Sequence, residues 1–296
     1  MKLVAKPIMI KATANYCFQS IDAPDWFQSS SIVTRGKWLT WSEDLRIKLH
    51  EFAKETAEWP EPRKVRLLGG KEFDLTFTHG PRGISTLKDG KWLLSLADSV
   101  HSMCPDKRSL LLFRDILDDR FDGRSLAHLW ALLRDVIASR SGHPLAALYA
   151  PLSHVGRSAK QFPLHADLYP PQYLWNVFDR VPKDGSGVAL LLPLDKFFAL
   201  ASKVGVPVVA QAAIRNCLSD EMRGERFREF YDLLHVNTER WSQEWGAAAE
   251  KSATRLPLGT GEGYLIHDRS WLHGRETPTG GVTVRRVHRL VYSLGT

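Results

Sequence analysis

Strand-type sequence runs from Leu145 to Pro193, stops, and begins again near Gly261. The first block holds Leu145 to Leu152, Phe162 to Asp167, Gln172 to Phe178 and Gly187 to Pro193, with turns such as Pro182-Lys183-Asp184-Gly185 between them. The second holds Gly261 to Arg275, a loop from Glu276 to Gly281, and Val282 to Tyr292. Consecutive short strands with turn punctuation fold as an antiparallel sandwich or barrel. The stretch between the blocks, 194 to 258, reads as helical. Asp195 can cap a helix with Phe197, Phe198 and Leu200, an apolar segment covers Val208 to Leu218, Ser219-Asp220-Glu221 caps a charged helix through Phe227, Phe230, Tyr231 and Leu234, and Asn237-Thr238-Glu239 starts another with Trp241 and Trp245. Because strand-type sequence resumes at once, this is an insertion between strands of one domain.

The first 144 residues are less uniform. Residues 1 to 40 read as short strands and loops, with Trp26, Phe27, Trp38 and Trp41 as core or lid aromatics. Ser42-Glu43-Asp44 supplies an N-cap and an acidic first turn for a helix that stops near Trp59-Pro60. Lys71 to Phe77 alternates like a strand, and Asp89-Gly90 joins Ile84 to Leu87 with Lys91 to Leu94 as a hairpin signal. From Ser109 to Ser139 the spacing is helical, broken at Asp122-Gly123, with His128 as a packed histidine of the second helix. This helical pair braces one face of a sheet.

With 296 residues and 44% hydrophobic content, the chain can bury a large core. A net charge of +7 and a pI near 9.3 draw it to anions through its field. The basic residues are dispersed among acids without a block of five like charges, which argues against a dedicated nucleic-acid surface. Cys17, Cys104 and Cys217 are odd in number and widely separated, so neither a disulfide framework nor a structural zinc site is expected. Without a signal-length or membrane-length apolar run, the expectation is a soluble cytoplasmic protein.

Within the first strand block, His165 and Asp167 are two apart, so in a strand they offer an imidazole and a carboxylate to one volume. A second histidine would complete the two-histidine, one-carboxylate arrangement that holds iron(II) with positions left open. His273, in Leu272-His273-Gly274-Arg275, is the candidate, with an arginine on the next strand to bind an acid beside the metal.

His165-Ala166-Asp167, His267 to Arg275, and Arg285-Arg286-Val287-His288-Arg289, in that order and separated by a helical insertion, resemble the iron(II)- and 2-oxoglutarate-dependent dioxygenases of the taurine dioxygenase-like, or clavaminate synthase-like, family. The resemblance spans residues 145 to 292, and residues 1 to 144 look like nothing specific. It implies a mainly β fold with flanking helices: a double-stranded β-helix, or jelly-roll, core from 145–193 and 259–296 and a helical lid from 194–258, to which the strands and bracing helices read in 1–144 add to make one domain.

It further implies His165, Asp167 and His273 as iron ligands, and Arg285 as the salt bridge to the distal carboxylate of 2-oxoglutarate. Arg289, on the same strand face, would sit nearby, and Arg286 takes over if the register slips by one. The cofactors would be Fe(II), 2-oxoglutarate and O2. The reaction would be hydroxylation of a small polar metabolite, amino-acid-like or acidic, with release of succinate and CO2. Arg157, Arg269 and Arg275 could meet an anionic group, and Tyr169, Trp175 and Trp271 flank the motifs. Rival readings are an oxygenase acting on a protein side chain or nucleic-acid base, and a metal-free binding protein on the same barrel. Two departures from the family pattern stand out. His267-Asp268 replaces the family's Asp-Asn, which makes His267 a competing ligand, and the family's co-substrate threonine aligns near Val188.

Overall fold

A computed structural model describes residues 27–30, 38–67, 75–103, 110–155, 162–167, 172–182, 187–219, 226–276 and 284–293. Among these the strands, in chain order, are β1 (Phe27–Ser30), β2 (Trp38–Trp41), β3 (Arg63–Arg66), β4 (Leu75–Thr78), β5 (Leu111–Phe113), β6 (Ala147–Val155), β7 (Phe162–His165), β8 (Tyr173–Arg180), β9 (Ala189–Pro193), β10 (Thr254–Leu256), β11 (Gly263–His267), β12 (Trp271–Arg275) and β13 (Val284–Tyr292). The helices are α1 (Glu43–Thr56), α2 (Pro81–Ser85), α3 (Lys91–Ser102), α4 (Gly123–Ser141), α5 (Leu194–Lys203), α6 (Val208–Cys217), α7 (Phe227–Tyr231) and α8 (Arg240–Ser252). The described residues are therefore mixed helix and sheet, with more helix than the mainly β expectation allowed.

Seven strands form one sheet in the order β1-β2-β5-β11-β8-β13-β6, and four form a second in the order β10-β9-β12-β7. Alternation of side chains assigns the faces. Leu174 and Phe178 of β8, Tyr264 and Ile266 of β11, and Val287 and Val291 of β13 share an apolar cluster with Ala189 and Leu191 of β9 and Trp271 of β12, so the two sheets face each other there. Trp175, Leu265, Leu290 and Tyr292 point the other way, into a cluster with α1, α3 and α4. Leu164, Leu190 and Leu192 turn outward to Phe197, Ile214, Phe230 and Trp245 of the helices between β9 and β10. Both sheets are thus apolar on both faces, and the helical layers are what keeps the outer faces from water.

Several elements differ from the sequence reading. The expected hairpin across Asp89-Gly90 is instead α2 followed by α3, with Gly90 at the N-cap. Trp92, Leu93, Leu96, Ala97 and Val100 are buried at helical spacing, a period that Lys91 to Leu94 alone is too short to reveal. The expected helix from Leu110 to Leu117 contains β5, whose three residues are all buried, which removes the alternation that marks a strand. Asp195 lies inside α5, whose N-cap is Pro193. β10 falls inside the stretch read as largely helical and is the edge of the four-stranded sheet among the described residues. Ser42 does cap α1, accepting from the Leu45 amide at 3.3 Å, and His128 is packed, stacked on His79. Trp26, Lys71 to Asp74, the turn 183–186, the loop 277–281, Cys17, Cys104 and the Asp220-Glu221 cap lie outside the described residues.

Gly263 shows how closely the central strands approach. A Cβ there would run into the Asn176 carbonyl on β8, which is backbone and cannot step aside. Gly263→Ala is expected to destabilise the protein by about 1–3 kcal/mol, read as a lower midpoint in urea with an unchanged slope. A wild-type midpoint would show that β8 and β11 are not held this close.

Candidate metal centre

β7 is an edge strand, the place where Pro163, which has no amide hydrogen to donate, is tolerated in a sheet. Its neighbour β12 pairs with it so that His273 lies opposite His165, and the register shifts immediately afterwards, before Arg275. With Leu164 and Leu272 turned out to the helices, both histidines turn in. Asp167 follows two residues later on the same side. His165 Nε2 lies 3.3 Å from Asp167 Oδ1, and His273 Nε2 lies 3.3 Å from Asp167 Oδ2. The imidazole centroids are 4.3 Å apart with their planes at 58°. One donor atom from each residue fits within 4.8 Å of the others, and this is the one such group found among the described residues.

The protonation states suit a cation. The His165 Nδ1 faces the Pro163 carbonyl at 2.8 Å. A carbonyl only accepts, so Nδ1 carries a hydrogen, and Nε2 is the ring nitrogen turned to the site. Burial lowers the His273 pKa to about 4, reinforced by His165 and offset in part by Asp167, so the ring is neutral at physiological pH. Its Nε2 is buried and makes no hydrogen bond. Burial pushes the Asp167 carboxyl up, but Arg289 and His273 together outweigh it and hold the group well below the usual carboxylate range. Two imidazoles and one carboxylate converging on a buried point, with a ring nitrogen of His273 otherwise unsatisfied, fit a divalent iron.

The arginines divide by strand parity. Arg289 pairs with Asp167 and donates from Nε to Asn176 Oδ1 at 3.1 Å, while Asn176 in turn donates to the Tyr264 hydroxyl at 2.8 Å. Arg285, on the same face, is 7% exposed. Its Nη1 donates to the Gly187 carbonyl at 3.2 Å and its guanidinium lies 4.6 Å over the Phe178 ring. Among the described residues no carboxylate lies within ion-pair distance of it. Burial, with Arg275 and Arg289 repelling, lowers its pKa to about 9, still charged at neutral pH. Arg286, of opposite parity, pairs with Asp179 on the helical side and is out of the site. Val188 lines a cavity of about 220 Å³ together with Phe178 and Arg285.

Of the other candidates, His267 packs edge-on against Tyr173 at 5.4 Å and meets Ser270 Oγ at 2.9 Å. It takes the parity of Leu265, away from the histidine pair. Trp175 is core between Trp41 and Trp130, Trp271 lies in the inter-sheet cluster, and Arg269 donates to the Ser219 carbonyl at 3.0 Å. Tyr169 and Arg157 lie outside the described residues. From the helical stretch, Phe227 packs edge-on against His165 at 5.9 Å and His235 Nε2 donates to the Leu164 carbonyl at 2.7 Å. Sequence reasoning missed Asn176, whose signal is a lone amide inside Tyr-Leu-Trp-Asn-Val-Phe.

Because the Asp167 carboxyl is depressed, the stability it contributes is fully present above the usual carboxylate range and is lost as pH falls below it. Arg289→Leu leaves that carboxylate buried without its cation. It is expected to cost about 3–5 kcal/mol at neutral pH and progressively less as the medium is acidified to about pH 3, measured by urea denaturation across that range. A cost independent of pH would show that the pair does not hold Asp167 ionised.

No protein-family model and no curated protein matches this chain. Solved structures similar to it include an asparagine oxygenase in complex with Fe(II), 2S,3S-3-hydroxyasparagine and succinate, at 13% identity and a TM-score of 0.45 over 86% of this chain and 93% of that one. A second is the non-haem iron oxygenase OrfP in complex with iron and alpha-ketoglutaric acid, at 14% identity and a TM-score of 0.44 over the same shares. OrfP has also been solved with iron, succinate and (3R,4R)-dihydroxy-L-Arg, at 16% identity and a TM-score of 0.41, again over 86% and 93%.

Proposed function

We propose that this protein is an Fe(II)- and 2-oxoglutarate-dependent oxygenase that hydroxylates an unactivated carbon of a small, polar metabolite of amino-acid-like or acidic character. The observation that carries the reading is the buried group of His165, Asp167 and His273 with its ligand atoms turned to one point. Supporting it, β6, β8, β11 and β13 lie in one sheet and β7, β9, β10 and β12 in the other, an arrangement that suits the proposed double-stranded β-helix of a single domain.

In this reading His165, Asp167 and His273 hold the iron, which when bound supplies the chemistry that couples decarboxylation of 2-oxoglutarate to oxidation of the substrate. Arg289 keeps Asp167 ionised and, with Asn176, fixes the carboxylate's orientation. Arg285, desolvated and without a carboxylate partner among the described residues, receives the distal carboxylate of the co-substrate through its planar fork. Arg289, which lies on the same strand face, is already committed to Asp167, and Arg286 to Asp179. The helices between β9 and β10 wall the site through Phe227 and exclude water from it. A helical wall beside the site suits a small molecule better than a macromolecule.

Titrating metal-free protein with iron(II) and then 2-oxoglutarate, without oxygen, is expected to produce a weak visible charge-transfer band that Asp167→Ala and His273→Ala abolish. No band in the wild type would favour a metal-free binding protein. Arg285→Met is expected to weaken 2-oxoglutarate by about 2–5 kcal/mol, seen as a raised KM with iron binding unchanged. Succinate release screened across free amino acids and their derivatives then identifies the substrate, and turnover above background with none of them would count against this substrate class.

A further inference from the structure

The two iron-binding imidazoles are backed by different groups. Behind His165 stands a neutral peptide carbonyl, that of Pro163. Behind His273 stands Asp268, a buried side chain in the turn between β11 and β12 whose Oδ1 lies 3.4 Å from His273 Nδ1. The same oxygen accepts from the Asp167 backbone amide, also at 3.4 Å. One carboxyl oxygen therefore reaches the ring of one ligand and the main chain of another. The turn that carries it is pinned, since the Asp268 amide donates to the Gln172 carbonyl at 2.7 Å and the Ser270 amide to the His267 carbonyl at 2.9 Å.

A neutral imidazole has one N–H and one lone pair, so His273 can give Nε2 to a metal only if Nδ1 holds the hydrogen. That hydrogen sits on a buried atom that makes no hydrogen bond of its own at present, and Asp268 is the acidic group beside it. At 3.4 Å the contact is longer than an ordinary N–H···O bond, so here it acts through the orientation it gives the ring.

We propose that Asp268 is a positioning residue of the metal centre: it selects the Nδ1–H tautomer of His273, makes that imidazole the more strongly donating of the two, and ties the Asp167 main chain to the same point. This rests on the iron reading above. It gives this chain a second buried carboxylate beside the metal, at a position where the resembled family has asparagine. A carboxylate behind a ligating imidazole raises its basicity, and losing such a partner weakens metal binding about 10–100-fold.

The test is cobalt(II) titration of metal-free wild type, Asp268→Ala and Asp268→Asn, followed through the visible cobalt spectrum, with urea denaturation of each metal-free protein alongside. Asp268→Ala is expected to bind about 10–100-fold more weakly and to change the spectrum. Asp268→Asn, which keeps an acceptor oxygen in place, is expected to recover part of that affinity. In the zinc-loaded protein, the His273 Nδ1–H is expected as a slowly exchanging downfield proton that Asp268→Ala loses. Wild-type affinity and spectrum in both variants would overturn the proposal, as would a loss of affinity that only tracks a loss of folded stability. If Asp268→Ala does not fold, the asparagine variant and the proton resonance decide. Failure of the wild type itself to bind cobalt would instead sink the iron reading.

Discussion

The pairing of β12 with β7 is the constraint on which the rest depends. Because His273 lies opposite His165 across two adjacent strands, and because side chains alternate, one register decides whether both rings face inward. A slip of one residue would send His273 out among the helices and bring Leu272 in. The apolar residues on either side oppose such a slip: Trp271 belongs to the inter-sheet cluster and Leu272 to the helical one. The packing that holds the sheets together is therefore the same packing that assembles the ligands.

Charge is then balanced locally. Asp167 stands between two imidazoles and Arg289, so the carboxylate has a compensating cation before any metal is considered. Arg285 has no such compensation among the described residues, and its charge is destabilised by burial and by the neighbouring guanidiniums. A buried cation held in that state costs free energy unless an anion arrives. Charge is thus compensated around Asp167 and left uncompensated at Arg285.

Much of this was readable from the residues alone. The two-residue spacing of His165 and Asp167 fixes a shared face in any extended segment, and the parity of Arg285, Arg286 and Arg289 correctly separated two inward arginines from one outward. What escaped had physical causes. Trp92-Leu93-Leu94 is too short to distinguish a strand from the first turn of α3. Leu111 to Phe113 lost its alternation because both of its faces are buried. The commitment of Arg289 to Asp167, and the approach of Asp268 to His273, depend on how far a side chain reaches across a turn or a sheet, which periodicity does not encode.

A single ferrous ion held as proposed, by two imidazoles and a carboxylate from β7, its continuation and β12, has a distinct scattering signature. X-ray absorption at the iron edge of anaerobically loaded protein tests it most directly. The expected result is a low-atomic-number first shell at about 2.0–2.2 Å with outer-shell scattering from two imidazole rings, reduced to one ring in His273→Ala. A spectrum without imidazole scattering, or one unchanged by that substitution, would contradict it.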